Sequence, residues 1–410
     1  MNPELMNAAK KAEDFCAPIF GEIDENCRFW TEKVLRAFVE ERVSAAHLNG
    51  TTGYGYDDAG REVMERIAAR VFSAEKCLFR SSFASGTHAL TVMLFGVLRP
   101  GDTIISVTGE PYDTLQRVVR GKGVGGLEDF GIRFDCIPLT EDHKIDLDGV
   151  KDAAKKARVI YIQRSRGYAL RPSLAMDEVE KAISAAKESN PDVLVLVDQC
   201  YCEFVEQITP TQAGADLMAG SLIKNAGGGV ARTGGYIAGK KEWVEQCAYR
   251  LTAPGIGDEI GCTLDTNRDH FRGMLLAPEV TAAACKTAVF AASLAKQFGF
   301  GAAPEPNDHR ADIVQTLLLD DSDLLIAFCR GLQAASPVDS FAAPEPAPMP
   351  GYDCPVIMAA GAFVQGSSIE LSADAPLRPP YAVFLQGGLT YDLGKLGVLS
   401  AMEAVLKIKN

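Results

Sequence analysis

Residues 3–48 alternate charged and apolar positions at helical spacing, as in FWTEKVLRAFVEERV, which predicts an N-terminal helical arm. The polar, glycine-rich TTGYGYDDAG at 51–60 breaks that period, and REVMERIAARVF restores it as a second helix. Short β-branched runs and amphipathic stretches then alternate. KCLFRSS, TIISV, RFDCIPL, VIYIQ, VLVLVD and DLMAGSL read as strands; THALTVMLFGVL, YDTLQRVV, LDGVKDAAKKA and AMDEVEKAISAAKES read as the helices between them. GYIAG adds a strand and WVEQCAYRL a helix. This rhythm predicts an α/β fold whose mostly parallel sheet is covered on both faces.

The pattern changes near residue 265. PEVTAAACKTAVFAASLAKQFG reads as a long helix with Pro278 at its first position, linking the sheet to a smaller C-terminal domain. There IVQTLLL, SIELSA and AVFLQGG read as strands and LGKLGVLSAMEAVLKI as a closing helix. The proline-rich 341–355 segment excludes a central strand and reads as an extended loop. The expected organisation is an arm and interface loop over 1–60, a large domain over 61–265, and a linking helix with a small domain over 266–410.

Composition sharpens this picture in three places. The net charge of −13 argues against nucleic acid as a partner, since phosphate backbones call for clustered Lys and Arg. The opening MNPELMNAAKKAEDF lacks a signal-peptide apolar region, and the best candidate for a membrane span is broken by Lys286 and Lys296, so a cytoplasmic protein with no membrane partner is expected. Eleven scattered cysteines fit reduced thiols, and the C-x-C of Cys200 and Cys202 has no second pair to complete a metal site. No metal is expected.

Three stretches compete as phosphate binders. GGYIAGKK (234–241) nearly spells a Walker A loop, but Lys241 stands where Ser or Thr must hold magnesium, and YIAG also reads as a strand interior. No G-x-G-x-x-G follows a strand and opens a helix, which weakens a dinucleotide reading. SSFASGTHAL (81–90) has the right context, a strand followed by small and hydroxyl residues and then a helix, with N–H groups near Gly86 and Thr87 to meet an anion. An ordinary capped helix remains its alternative. VLVLVDQCYCEF sets Asp198 at the carboxyl end of the most apolar strand, where ligands of open α/β sheets sit, although an aspartate there is also a common turn former. In SLIKNAGGGVARTGG, Lys224 stands alone among small residues. An anion loop, then an acid, then a lysine suits pyridoxal phosphate, whose chemistry needs a phosphate cradle, a carboxylate for the ring nitrogen and a lysine for the imine.

With these residues in view, the chain resembles the fold type I pyridoxal phosphate enzymes, and specifically the cystathionine and methionine lyase group. TGYGYDD, QRSRGYALRPSL, SLIKNAGGGVARTGGYIAG and IELSADAPLRPPY resemble the branch known as the methionine γ-lyase family or aluminium resistance proteins across nearly the whole chain. The resemblance implies a mostly parallel seven-stranded sheet in a large domain with a smaller α+β C-terminal domain. It implies Lys224 as the Schiff-base lysine, Asp198 on the ring nitrogen, Ser85, Gly86, Thr87 and Ser221 on the phosphate, and Tyr112 stacked on the ring. Tyr54, with Tyr56 beside it, would enter a neighbouring subunit's site, in a homodimer or homotetramer with active sites at the interface. The implied activity is carbon–sulfur lysis of a small sulfur-containing amino acid; an aminotransferase, aldolase or desulfurase, or a cofactor-binding protein with a role in metal tolerance, is the alternative.

The chain departs from that group in places. Tyr56 stands where an arginine is usual, and QRSRGYALRP replaces the usual segment, putting Arg164 and Arg166 near the expected cofactor as candidates for substrate binding. Arg378 is the candidate for the substrate carboxylate, which an arginine holds well in bidentate geometry. All three read alternatively as surface arginines. Cys354 has no activating neighbour in sequence and reads as inert.

Overall fold

A computed structural model describes residues 2–349 and 353–409, so positions 350–352 of the proline-rich segment lie outside the described residues. Helix α1 (Pro3–Glu40) opens the chain, capped by the Asn2 side chain, which accepts from Glu4 N at 2.9 Å. The arm is shorter than its charge alternation suggests. After Glu40 the chain turns, and residues Ala45–Leu48 form only a short 3-10 turn. Asp58 then caps α2 (Ala59–Val71) by accepting from Arg61 N at 2.9 Å.

The large sheet contains β1 (Lys76–Arg80), β2 (Thr103–Ser106), β3 (Arg133–Cys136), β4 (Val159–Gln163), β5 (Leu194–Asp198), β6 (Leu217–Ser221) and β7 (Gly235–Gly239), in the order β1-β7-β6-β5-β4-β2-β3. β7 runs antiparallel to both neighbours, and the other pairings are parallel. The expected mostly parallel seven-stranded sheet is present. Its helices are α3 (Gly86–Val97), α4 (Asp113–Arg120), α5 (Leu147–Ala154), α6 (Met176–Ser189) and α7 (Lys241–Leu251). Burial of Met176, Val179, Ala182, Ile183 and Ala186 in α6 shows why the pattern was readable: spacings of three and four residues place them on one face. Every residue of β4 and β5 is buried, as strands covered on both faces require. GYIAG lies wholly within β7, which removes the near-Walker stretch as a phosphate loop.

A 31-residue helix, α8 (Asn267–Gln297), joins this layer to a second one, and Pro278 is inside it rather than at its first position. The segment upstream of the proline already carries a buried stripe through Asn267, His270, Phe271 and Met274, so tertiary packing extends the helix across the ring. By length and composition α8 is apolar enough to cross a membrane, but 78% of its most apolar window is buried inside the protein. The second layer is an antiparallel sheet in the order β10 (Val356–Ala359), β11 (Ser372–Pro376), β12 (Ala382–Gln386), β9 (Gln315–Leu318), β8 (Gly301–Ala303), backed by α9 (Ser322–Ala334) and α10 (Tyr391–Lys409). The expected strand over SIELSA starts late, at Ser372. Glu370 is bent into a turn in which its carboxylate accepts from Phe363 N and Val364 N at 2.8 and 2.9 Å. β8, β10 and α9 are additions to the sequence reading.

Candidate cofactor and substrate site

The parallel strands end together, and their carboxyl ends deliver the site. Gln163 closes β4, Asp198 closes β5 and Ser221 closes β6, while α3 begins opposite them. Between them lies a cavity of about 280 Å³ lined by, among others, Ser85, Gly86, Thr87, Tyr112, Asp198, Ser221 and Lys224. Seven residues singled out from sequence thus converge in one place.

Each is held for a local reason. Ser85 caps α3, its hydroxyl accepting from His88 N at 3.0 Å, which leaves the first turn's other N–H groups directed at the cavity. Gly86 lets the two elements approach closely: a Cβ there would stand 3.1 Å from Ser221 Cβ, so that side chain would have to give by a few tenths of an ångström. The Thr87 hydroxyl meets the Tyr112 hydroxyl at 2.8 Å, and Tyr112 N donates to Gln163 Oε1 at 2.9 Å, so the tyrosine is fixed at both ends. Ser221 Oγ is buried with no partner in the chain. An orphaned hydroxyl facing a helix N-terminus is what a phosphate would satisfy.

Asp198 is buried, and that burial pushes its carboxyl above the usual range. The Lys224 charge and hydrogen bonds from Cys200 N (3.0 Å) and Tyr161 Oη (3.5 Å) pull the other way. Burial works against charge on Lys224, yet the acidic groups around it outweigh that and hold its ammonium above the ordinary lysine value. Acid and amine therefore line one cavity. With its orphaned hydroxyl, helix terminus, aromatic ring, carboxylate and lysine, the chamber fits pyridoxal phosphate.

The three arginines expected as substrate contacts lie outside the cavity lining in this chain. Arg164 is fully buried and turned away from the cavity. It forms an ion pair with Glu206, donates to Gln199 Oε1 at 3.0 Å and to Leu174 O at 3.2 Å, and serves as an internal brace. Arg166 points to the small sheet, donating to Ala303 O at 2.9 Å and Thr316 Oγ1 at 3.2 Å. In the Q-R-S-R turn it is Gln163 and Ser165, not the arginines, that face the cavity. Arg378 stands outside the lining as well, half-exposed and paired with Asp353 at 2.9 Å, where its charge reaches Asp113 at the cavity mouth. Among the described residues no arginine lines the chamber.

Tyr54 and Tyr56 are 68% and 60% exposed, stacked with centroids 5.4 Å apart, and do not reach this chain's own cavity. Residues not assigned to the site from the sequence also line it, among them Thr114, Gln163, Ser165, Tyr168, Cys200 and Tyr201. Cys200 and Tyr201 were legible in principle, because they follow Asp198 in VDQCYCEF, the same turn that carries the acid.

Comparisons with known proteins agree with this geometry. The Methionine gamma-lyase family profile matches residues 5–406. The Bacillus subtilis protein YnbB, itself uncharacterised, is 47% identical over 98% of this chain and 97% of its own length. A Listeria innocua structure, provisionally named a cystathionine beta-lyase involved in aluminum resistance, superposes with a TM-score of 0.96 at 48% identity, covering 98% of this chain and 99% of that one. The L-methionine gamma-lyase of Pseudomonas putida is 26% identical over 54% of this chain and 50% of its own. Cystathionine gamma synthase from Xanthomonas oryzae shares the fold, with a TM-score of 0.64 at 16% identity over 92% of this chain and 98% of that one. Sheet order, cavity and matches together place the chain in the fold type I class of pyridoxal phosphate enzymes, and it belongs to the methionine gamma-lyase family.

Proposed function

We propose that this chain is a pyridoxal-phosphate-dependent carbon–sulfur lyase acting on a sulfur-containing amino acid, by elimination of the cystathionine β-lyase or methionine γ-lyase kind. The observation that carries the reading is the single chamber in which Lys224, Asp198, the orphaned Ser221 hydroxyl and the start of α3 converge. In this reading Ser85, Gly86, Thr87 and Ser221 would hold the cofactor phosphate, Tyr112 would stack on its ring and Asp198 would face its ring nitrogen.

When bound, pyridoxal phosphate supplies an electron sink for a carbanion at the substrate Cα. The chain supplies the rest. Lys224 Nζ would take the α-proton as general base. Asp198, buried at the end of β5, would face the ring nitrogen and keep it protonated. Tyr112, whose hydroxyl burial pushes well up, stays a neutral donor near neutral pH and is placed to return a proton. Departure of the thiolate and hydrolysis of the resulting enamine would leave a 2-oxo acid and ammonia.

The exposed tyrosine pair extends the proposal to a second copy of the chain. Tyr54 of one protomer would enter its partner's chamber, making a homodimer the catalytic unit. Reduction of the loaded protein with borohydride, followed by peptide mass spectrometry, tests the cofactor assignment. The expected result is a pyridoxyl group on Lys224 that is absent in Lys224→Ala; a protein with no visible absorbance and no labelled lysine contradicts it.

A further inference from the structure

Lys224 rests on an aromatic ring that the scheme above does not use. Its Nζ stands 3.8 Å from the centroid of Tyr201, and both residues line the chamber. Tyr201 is held there under constraint. Its φ is 72°, in the left-handed region that bulky side chains seldom adopt. Two donors grip its carbonyl, Asn225 Nδ2 at 3.0 Å and Ile313 N at 3.2 Å. The same Asn225 amide reaches Glu203 O at 3.0 Å, so the residue directly after the lysine pins the turn that presents the ring. Behind it the tyrosine packs against the apolar clusters containing Ile313 and Phe384, which wedges it between the two sheets. Strained backbone that its surroundings over-determine is a mark of functional sites.

We propose that Tyr201 is a positioning residue that carries the Lys224 ammonium on its π face, stabilising the proton that the lysine takes from the substrate Cα. This rests on the lyase reading. In that step the Cα–H bond breaks, the Nζ–H bond forms and the electron pair stays on the substrate carbon. The lysine goes from neutral amine to ammonium, and a cation is what an aromatic face attracts. The groups facing Nζ are Asp198 at the end of β5, Cys200 and Glu203 from the turn after it, Tyr112 from the start of α4, and Asp374 from β11. Burial pushes the Cys200 thiol and the Tyr112 and Tyr201 hydroxyls up, so these stay neutral near pH 7. Asp374 is raised by burial too, and Glu203 is pushed up to about 7. Asp198 is likewise raised by burial and makes no ion pair with Lys224, so the contact directly against the ammonium is the Tyr201 ring at 3.8 Å.

The test compares wild type with Tyr201→Phe, Tyr201→Leu and pentafluorophenylalanine at position 201, which keeps the ring's shape and inverts its quadrupole. Two quantities are read: kcat and KM of the loaded enzyme, and the pKa of Lys224 in the cofactor-free protein, from the pH dependence of its reductive methylation. Tyr201→Phe should hold kcat within about three-fold. The leucine and pentafluoro forms should lose about ten-fold in kcat with a smaller change in KM, and the Lys224 pKa should fall by roughly one unit. If Tyr201→Leu does not fold, the isosteric pentafluoro form decides. The proposal is overturned if Lys224 titrates unchanged in the pentafluoro protein, or if Tyr201→Phe loses as much as it does. A wild type that forms no 2-oxo acid while the Lys224 shift persists would sink the lyase reading and leave the contact with Tyr201 standing.

Discussion

Glu203 is the buried acid with the poorest company in the site's neighbourhood. It is 1% exposed; one oxygen accepts from Tyr236 Oη at 2.9 Å and the other has no partner. Burial pushes it from 4.5 to about 7. Between those values the folded chain keeps a proton that the unfolded chain releases, so stability falls as pH rises through that window. Glu203→Gln should therefore lose less thermal stability than wild type between about pH 5 and pH 8, as followed by Tm; parallel slopes would refute the assignment. Arg164 makes an equally direct case. Replacing it with Met removes one partner of Glu206, which keeps His309 and Met176 N, and should cost roughly 1–3 kcal/mol in urea denaturation, with KM for substrate unchanged in the protein that remains folded. At this scale the sequence disclosed which residues share the chamber where a motif packs several together, as around Lys224 and Asp198. It did not disclose side-chain direction in Q-R-S-R, because a turn sends neighbouring side chains to different faces and only the folded packing decides which.

Elements were legible where period and turn chemistry agreed. β4, β5 and α6 follow their apolar spacing almost residue for residue. They were missed where tertiary contacts overrode local signals. Pro278 within α8 and the turn around Glu370 are of that kind, whereas α9 carried a readable start in Asp321, which accepts from Asp323 N and Leu324 N at 2.7 and 3.1 Å. The loop bearing Tyr54 and Tyr56 is tied down by a network of polar groups. Asp58 accepts from the hydroxyls of Thr51 and Thr263 and from Asn267 Nδ2, while Arg61 Nη1 donates to Gly55 O and Gly261 O, both at 2.8 Å. Asp58→Ala removes a helix cap and orphans several buried donors, so a loss of roughly 2–4 kcal/mol is expected in chemical denaturation. A change under 0.5 kcal/mol, within the usual range for surface substitutions, would show that the network does not brace the loop.

For the whole molecule, the account requires two copies. Tyr54 is too exposed to serve its own chain's chamber and is carried on a braced loop, which suits delivery to a partner. Mixing inactive Lys224→Ala with impaired Tyr54→Phe should restore activity that neither has alone, since some mixed dimers contain one site with both residues intact; no recovery after subunit exchange would place Tyr54 outside catalysis. The central claim is the reaction itself, and the direct measurement is product stoichiometry from the cofactor-loaded protein given cystathionine, methionine or cysteine. The account predicts 2-oxo acid, ammonia and thiol or sulfide released in equal amounts from at least one of them, and none from Lys224→Ala. Accumulation of pyridoxamine phosphate without sulfur release, or no turnover of any sulfur amino acid, would contradict it.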